Sequence, residues 1–282
     1  MKGKYYNNKQ VYTIEMAKKR LKTAQINITD GVLDDPFDGS KQAVNETWCE
    51  FKDALKDELL RYDDINKVKE FQFIKTFDYL MKYEFVVELL TVDLKPFSKG
   101  KHFYRAARIK NGENVNLNRF VPDASKMERD NRFSPIGVEW LYLGYDRYAV
   151  DAKRCCYNEI RANEFECIKY CEFGNPKDYK IINLTIADDK DDYEILIQKF
   201  RNPIEVPVKL LIEVYCKILS VEIFKPINDA ESKEIEYKPF QAMAKYFQDL
   251  GFNGIIYSST VSEFGKNIVI FDKEGLSPIE LR

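Results

Sequence analysis

From Ala43 to Tyr62 the apolar positions Val44, Trp48, Phe51, Leu55 and Leu59 recur at steps of four, three, four and four, which puts them on one face of a helix. Ser40 stands just upstream as its cap. Val68, Phe71, Ile74, Phe77 and Met81 repeat the spacing and predict a second amphipathic helix, and Ile14, Ala17 and Leu21 predict a shorter one before both. Turn formers between Asp30 and Ser40 separate the first helix from the second. Residues 1–96 therefore read as a small helical N-terminal domain. Its apolar faces are too few to bury one another well. Trp48, Phe51, Phe71, Ile74 and Phe77 are expected to lie against the rest of the chain or against a second copy, which would make a homo-oligomer.

The pattern changes after Pro96. Short runs of β-branched and aromatic residues now alternate with helical stretches. Strands are expected at His102–Ile109, Trp140–Tyr145, Phe165–Phe173, Lys180–Thr185, Gly254–Ser258 and Asn267–Phe271. Helices are expected at Arg147–Glu159, Pro207–Phe224 and Pro239–Leu250. Pro207 suits a first helical turn, Pro226 forbids continuation, and Gly251 is a natural terminator. Without a strict βαβ rhythm, the second domain, residues 97–282, is α+β with a mixed sheet.

Composition narrows the chemistry. The 282 residues carry 44 Lys+Arg against 46 Asp+Glu, a formal net charge of −2, which argues against a protein held mainly by nucleic-acid phosphates and leaves room only for a local basic patch. The most apolar stretch, Val208 to Phe224, is interrupted by Lys209, Glu213, Lys217 and Glu222 and does not read as a membrane span. The opening residues lack the apolar run of a secretory signal, so a cytoplasmic protein with reduced thiols is expected. Cys155, Cys156, Cys167 and Cys171 do not have the spacing of paired zinc knuckles, so no metal is expected. The one histidine, His102, leaves little room for Ser-His-Asp catalysis and none for a two-histidine zinc site.

Four pieces of the second domain carry candidate chemistry. Phe103-Tyr104-Arg105-Ala106-Ala107-Arg108 places an arginine amid apolar strand residues, where its planar fork suits a phosphate or carboxylate. Arg132-Phe133-Ser134-Pro135-Ile136-Gly137 sets a cation at a turn that feeds Trp140-Leu141-Tyr142-Leu143. Asn158-Glu159-Ile160-Arg161 ends a helix with a carboxylate that the helix dipole opposes. Gly254 to Val261 ends a strand in hydroxyls, and Gly265-Lys266-Asn267-Ile268-Val269-Ile270-Phe271 returns. Each alone also fits a solvated arginine, an ordinary turn, a surface ion pair or a sheet terminus. His102 lies three residues from Arg105, so the two side chains point to opposite faces of their strand, and His102 reads as structural.

In this order and spacing the four pieces resemble the RES domain, named for its Arg, Glu and Ser, over about residues 97–272. The resemblance implies an ADP-ribosyltransferase-like mixed β-sheet domain and an activity on NAD. By position the arginine is Arg105, the glutamate Glu159 and the serine Ser259, with Ser258 one residue away. The implied NAD-binding residues are Arg105, Arg132, Tyr104, Tyr142, Ser258, Ser259 and Asn267. Ile136 departs from the family where a second proline is common, and Ala106 departs where some members carry an aromatic. The family implies cleavage of the nicotinamide–ribose bond by a toxin, as an NAD phosphorylase or glycohydrolase, in a toxin–antitoxin or phage-defence setting. NAD is then substrate rather than bound cofactor, inorganic phosphate is a co-substrate of some members, and a helix-turn-helix antitoxin is the expected partner. Two alternatives stay open: transfer of ADP-ribose to a macromolecule, and a non-catalytic binding module.

Overall fold

A computed structural model describes residues 38–96, 100–110, 112–188, 205–224, 233–259 and 261–282. The short helix expected over Ile14, Ala17 and Leu21 lies outside them. The first elements in chain order are helices α1 (Asp38–Lys56), α2 (Ile65–Val68), α3 (Gln72–Leu80) and α4 (Glu84–Leu90), then strands β1 (Thr91–Leu94), β2 (His102–Arg108) and β3 (Leu141–Asp146). Helix α5 (Ala149–Glu159) follows, then β4 (Ile168–Gly174), β5 (Tyr179–Asn183), α6 (Glu205–Phe224) and α7 (Lys233–Asp249). Strands β6 (Gly254–Ser258), β7 (Lys266–Ile270) and β8 (Ser277–Leu281) close the chain. These elements form two compact units: one takes the described residues within 1–90 and 185–223, the other those within 91–184 and 224–282.

In the helical unit, Trp48, Phe51 and Leu55 of α1 and Phe73, Ile74 and Phe77 of α3 are fully buried. Their partner includes α6, whose Tyr215 ring lies 4.7 Å from Phe73 and 5.7 Å from Phe77. Three charges of α6 are paired within the same unit: Glu222 with Lys52 at 3.0 Å, and Lys209 with Glu213 at 3.5 Å. Three sequence expectations shift here. Helix α1 begins at Asp38, so Ser40, expected as its cap, lies within it. Helix α1 stops at Lys56 because Glu58 adopts a left-handed conformation (φ 59°), which leaves Leu59 80% exposed and off the apolar face. The second amphipathic pattern is divided into α2 and α3, and Asp64 caps α2 through the Lys67 backbone N–H at 3.3 Å.

The second unit is an eight-stranded mixed sheet in the order β1-β5-β6-β7-β3-β2-β4-β8. Only β5 and β6 pair in parallel. The α+β architecture is as expected, with two strands added. Thr91–Leu94, expected to continue the helical region, pairs with β5. Ser277–Leu281 pairs with β4 at the sheet edge. On one face Phe103, Leu141, Leu143, Cys171, Phe173, Ile181, Ile256, Ile268 and Ile270 form the main core with Phe120. On the other, α5 lies across β2 and β3, where Ala152 and Cys156 bury Tyr104. A Cβ on Gly144 would stand 2.5 Å from both Ala152 O and Cys156 Sγ, so glycine is what lets this helix approach the sheet. Helix α7 starts at Lys233, which puts Pro239 inside the helix instead of at its first turn. The helix is still ended by Gly251, at φ 88°.

Candidate active site

Glu159 is the last residue of α5. Beyond it Arg161 takes the left-handed conformation (φ 48°); its N–H reaches Asn158 O at 2.8 Å, and the Ala162 N–H reaches Tyr157 O at 3.2 Å. This pair of bonds closes the helix end and satisfies two of its orphan carbonyls, here without the usual glycine. The Glu159 carboxylate is exposed but held: its Oε1 accepts from Ser259 Oγ at 2.8 Å and from Asn267 Nδ2.

Sheet register explains why these groups meet. Tyr257 pairs with Asn267, Asn267 with Gly144, and Gly144 with Tyr104, so the four residues form a row on the α5 side of the sheet. Asn267 Oδ1 accepts from Cys155 Sγ at 3.4 Å, which directs its amide nitrogen to Glu159. Ser259 follows the last pair of β6 and also accepts from the Val261 N–H at 3.2 Å, whereas Ser258 is still paired within the sheet, opposite Lys266. Replacing Ser259 with Ala is therefore expected to reduce turnover more than Ser258→Ala does, measured as kcat on the same substrate. An equal or reversed ranking would show that the Ser259–Glu159 bond has no role.

The Arg132 loop is built against α7. Asp130 accepts the Ile136 N–H at 2.8 Å and the buried Gln241 amide at 2.9 Å, and the Asn131 N–H reaches Ser134 O at 2.8 Å. Ser134 has no exposed surface and its hydroxyl meets the Tyr142 phenol at 2.9 Å. Arg132 lies over the rings of Tyr237 and Phe240, 5.6 Å and 5.8 Å from their centroids. Among the described residues, these two rings are the contacts that hold the Arg132 cation. Tyr257, which the sequence reading did not single out, connects the parts. Burial drives its phenol well above the ordinary value, and Glu159, Tyr142, Arg132 and Cys155 all act on it electrostatically. Burial likewise raises Tyr142, against the hydrogen bond from Ser134.

Arg105 is not brought to this group. It pairs with Cys171 and shares the core face with Phe103, opposite to Tyr104 and α5. Its Nη1 donates to the Phe120 carbonyl at 2.7 Å, and burial followed by the nearby Arg119 lowers its pKa. Arg105→Ala is expected to cost about 1.5–3 kcal/mol by leaving the Phe120 carbonyl without its charged donor, measured by urea unfolding. Loss of turnover at unchanged stability would instead place Arg105 against the substrate. Tyr104 is fully buried beneath α5, with the Lys153 ammonium 4.9 Å above its ring, and no surface of it is open to a ligand. His102 faces the same side as Tyr104, with Nδ1 3.6 Å from Glu172 Oε1. The buried thiols serve separate bonds, Cys156 to Tyr104 O at 3.0 Å and Cys155 to Asn267. No group of three or more His, Cys, Asp or Glu among the described residues could hold a metal ion.

A family model described as the RES domain matches residues 103–280. The chain belongs to the RES domain family. The matched span contains Arg105, Arg132, Glu159, Ser259 and Asn267, and it also contains α6, which the structure groups with the helical unit. Among solved structures, a chain of the M. tuberculosis MbcT–MbcA toxin–antitoxin complex is similar at 11% identity with a TM-score of 0.34, covering 71% of this chain and 92% of that chain. No curated protein matches. No helix among the described residues of this RES protein is long and apolar enough to cross a membrane.

Proposed function

We propose that this RES domain is an NAD-degrading enzyme of the toxin type that breaks the nicotinamide–ribose bond. The observation that carries the proposal is the Glu159 carboxylate held by Ser259 and Asn267, with the Arg132 cation acting on the same buried Tyr257 as Glu159 does. As the C1′–N bond breaks, its electron pair goes to the ring nitrogen and nicotinamide leaves neutral, so no general acid is required. Positive charge develops on the ribose, and a fixed carboxylate stabilises it. The two donors on Glu159 keep its oxygen from swinging away, so little reorganisation is needed during the reaction. Arg132 offers its fork to the pyrophosphate, with Tyr237 and Phe240 holding the guanidinium plane. A water oxygen, with its proton released to solvent, or an oxygen of inorganic phosphate then bonds to the anomeric carbon, giving ADP-ribose or its 1-phosphate. Within this proposal NAD is substrate, no resident cofactor takes part, and the protein works in the cytoplasm against a neutralising antitoxin.

Purified protein incubated with NAD, with and without phosphate, tests the reading. Nicotinamide release without any macromolecular target is expected, and the identity of the second product separates phosphorolysis from hydrolysis. Release only when a target protein or nucleic acid is added would assign ADP-ribosyl transfer instead. Absence of both nicotinamide release and NAD binding would overturn the proposal.

A further inference from the structure

The placement of Glu159 poses an electrostatic problem, because a carboxylate on the last turn of a helix faces the negative end of the backbone dipole and its unpaired carbonyls. The structure resolves it through a side chain from β2. Arg108 Nη2 donates to the Ile160 carbonyl and, at 3.0 Å, to the Arg161 carbonyl, while its Nε donates to Glu166 Oε1 at 2.7 Å. Glu166 Oε2 in turn accepts the Asn163 N–H at 2.9 Å, so the turn after α5 is tied to the same guanidinium. With the two turn bonds from Arg161 and Ala162, the carbonyls of Tyr157, Asn158, Ile160 and Arg161 all have donors.

We infer that Arg108 is a positioning residue for Glu159: it fixes the C-terminal turn of α5 and offsets the negative helix end beside the carboxylate. It acts through the backbone of residues 160 and 161 and touches no reacting atom. Only a guanidinium can do this, because the planar fork reaches two adjacent carbonyls and a carboxylate at once. A lysine brings the charge and three donors, but all on one nitrogen, which lacks the fixed spacing between Nε and Nη2 that Arg108 uses here. The strain of a non-glycine residue at Arg161 adds to the need, since a left-handed arginine persists only where its surroundings hold it.

The inference rests on the NAD-cleaving reading for its kinetic arm and is independent of it for its exchange arm. In Arg108→Ala, kcat for NAD cleavage is expected to fall about tenfold with KM within about twofold, because ground-state binding does not use this end of the helix. Added methylguanidinium is expected to restore part of kcat in the alanine variant and to leave the wild type unchanged. Arg108→Lys keeps the charge and most of the stem; its kcat is expected to lie between the two, and it serves if the alanine variant does not fold. Hydrogen exchange of the Arg161 and Ala162 amides is expected to speed up in both variants while β7 amides stay protected. Unchanged exchange at these amides would overturn the inference, as would a loss confined to KM or a kcat that methylguanidinium cannot restore. If the wild type proves inactive on NAD, the functional reading fails, and the exchange measurement still decides the role of Arg108.

Discussion

Glu159→Gln is expected to reduce kcat for NAD cleavage by about 10²–10³-fold, with a much smaller change in KM. The substitution keeps the size of the side chain and leaves a carbonyl oxygen able to accept from Ser259 and Asn267, which hold the carboxylate in the wild type. What it removes is the negative charge opposite the developing ribose cation. An effect of that size on kcat alone marks a group whose interaction strengthens in the transition state. Retention of more than about a tenth of wild-type kcat would mean that Glu159 is not the stabilising charge, and the ring-held Arg132 would then have to be explained differently. Circular dichroism of the variant should match the wild type, because Glu159 is exposed and supports no core contact.

Gly144→Ala is expected to destabilise the sheet unit by about 2–3 kcal/mol, visible as a lower midpoint in urea unfolding followed by circular dichroism. The new methyl would lie 2.5 Å from Ala152 O and from Cys156 Sγ, and the backbone carbonyl cannot swing aside as a flexible side chain would. The helix must lift from β3, which breaks the bond from Cys156 Sγ to Tyr104 O and moves the turn that carries Glu159. Activity is therefore expected to fall together with stability, unlike in Glu159→Gln. An alanine variant as stable as the wild type would show that α5 does not lie so close to β3.

Much of the sheet was legible because its central strands are apolar runs bounded by turn residues. Strand β6 lies at Gly254–Ser258 as expected, and the β2, β3, β5 and β7 boundaries differ by one or two residues. The two missed strands are edge strands, where the pattern fades. Strand β1 is four residues long, and β8 contains Pro278, a residue that argues against a strand except at an edge. Pro239 misled in the opposite direction, since a proline read as a helix start proved to be internal. At the site, the motifs gave Glu159 and Ser259 but not the side of the sheet. Alternation along β2 already forbids Tyr104 and Arg105 from facing one ligand. Only the register of β2 with β3, and of β3 with β7, shows that Tyr104 is on the Glu159 side and Arg105 on the other. Tyr257 and Arg108 carried no sequence signal of their own, because their importance comes from partners about a hundred and about fifty residues away.

The helical unit is assembled from two stretches of chain separated by five strands of the sheet. On the ribosome, the fully buried Phe73 must wait for Tyr215, its neighbour at 4.7 Å. At roughly 5–20 residues per second, the intervening residues take about 7–28 s to synthesise. During that interval the aromatic faces of α1 and α3 have no native cover from α6, and β1 likewise lacks β5 for most of it. Synthesis in the cell thus includes a window in which Trp48, Phe51 and Phe73 lack the cover they have in the folded protein, and slower translation between β5 and α6 would lengthen it.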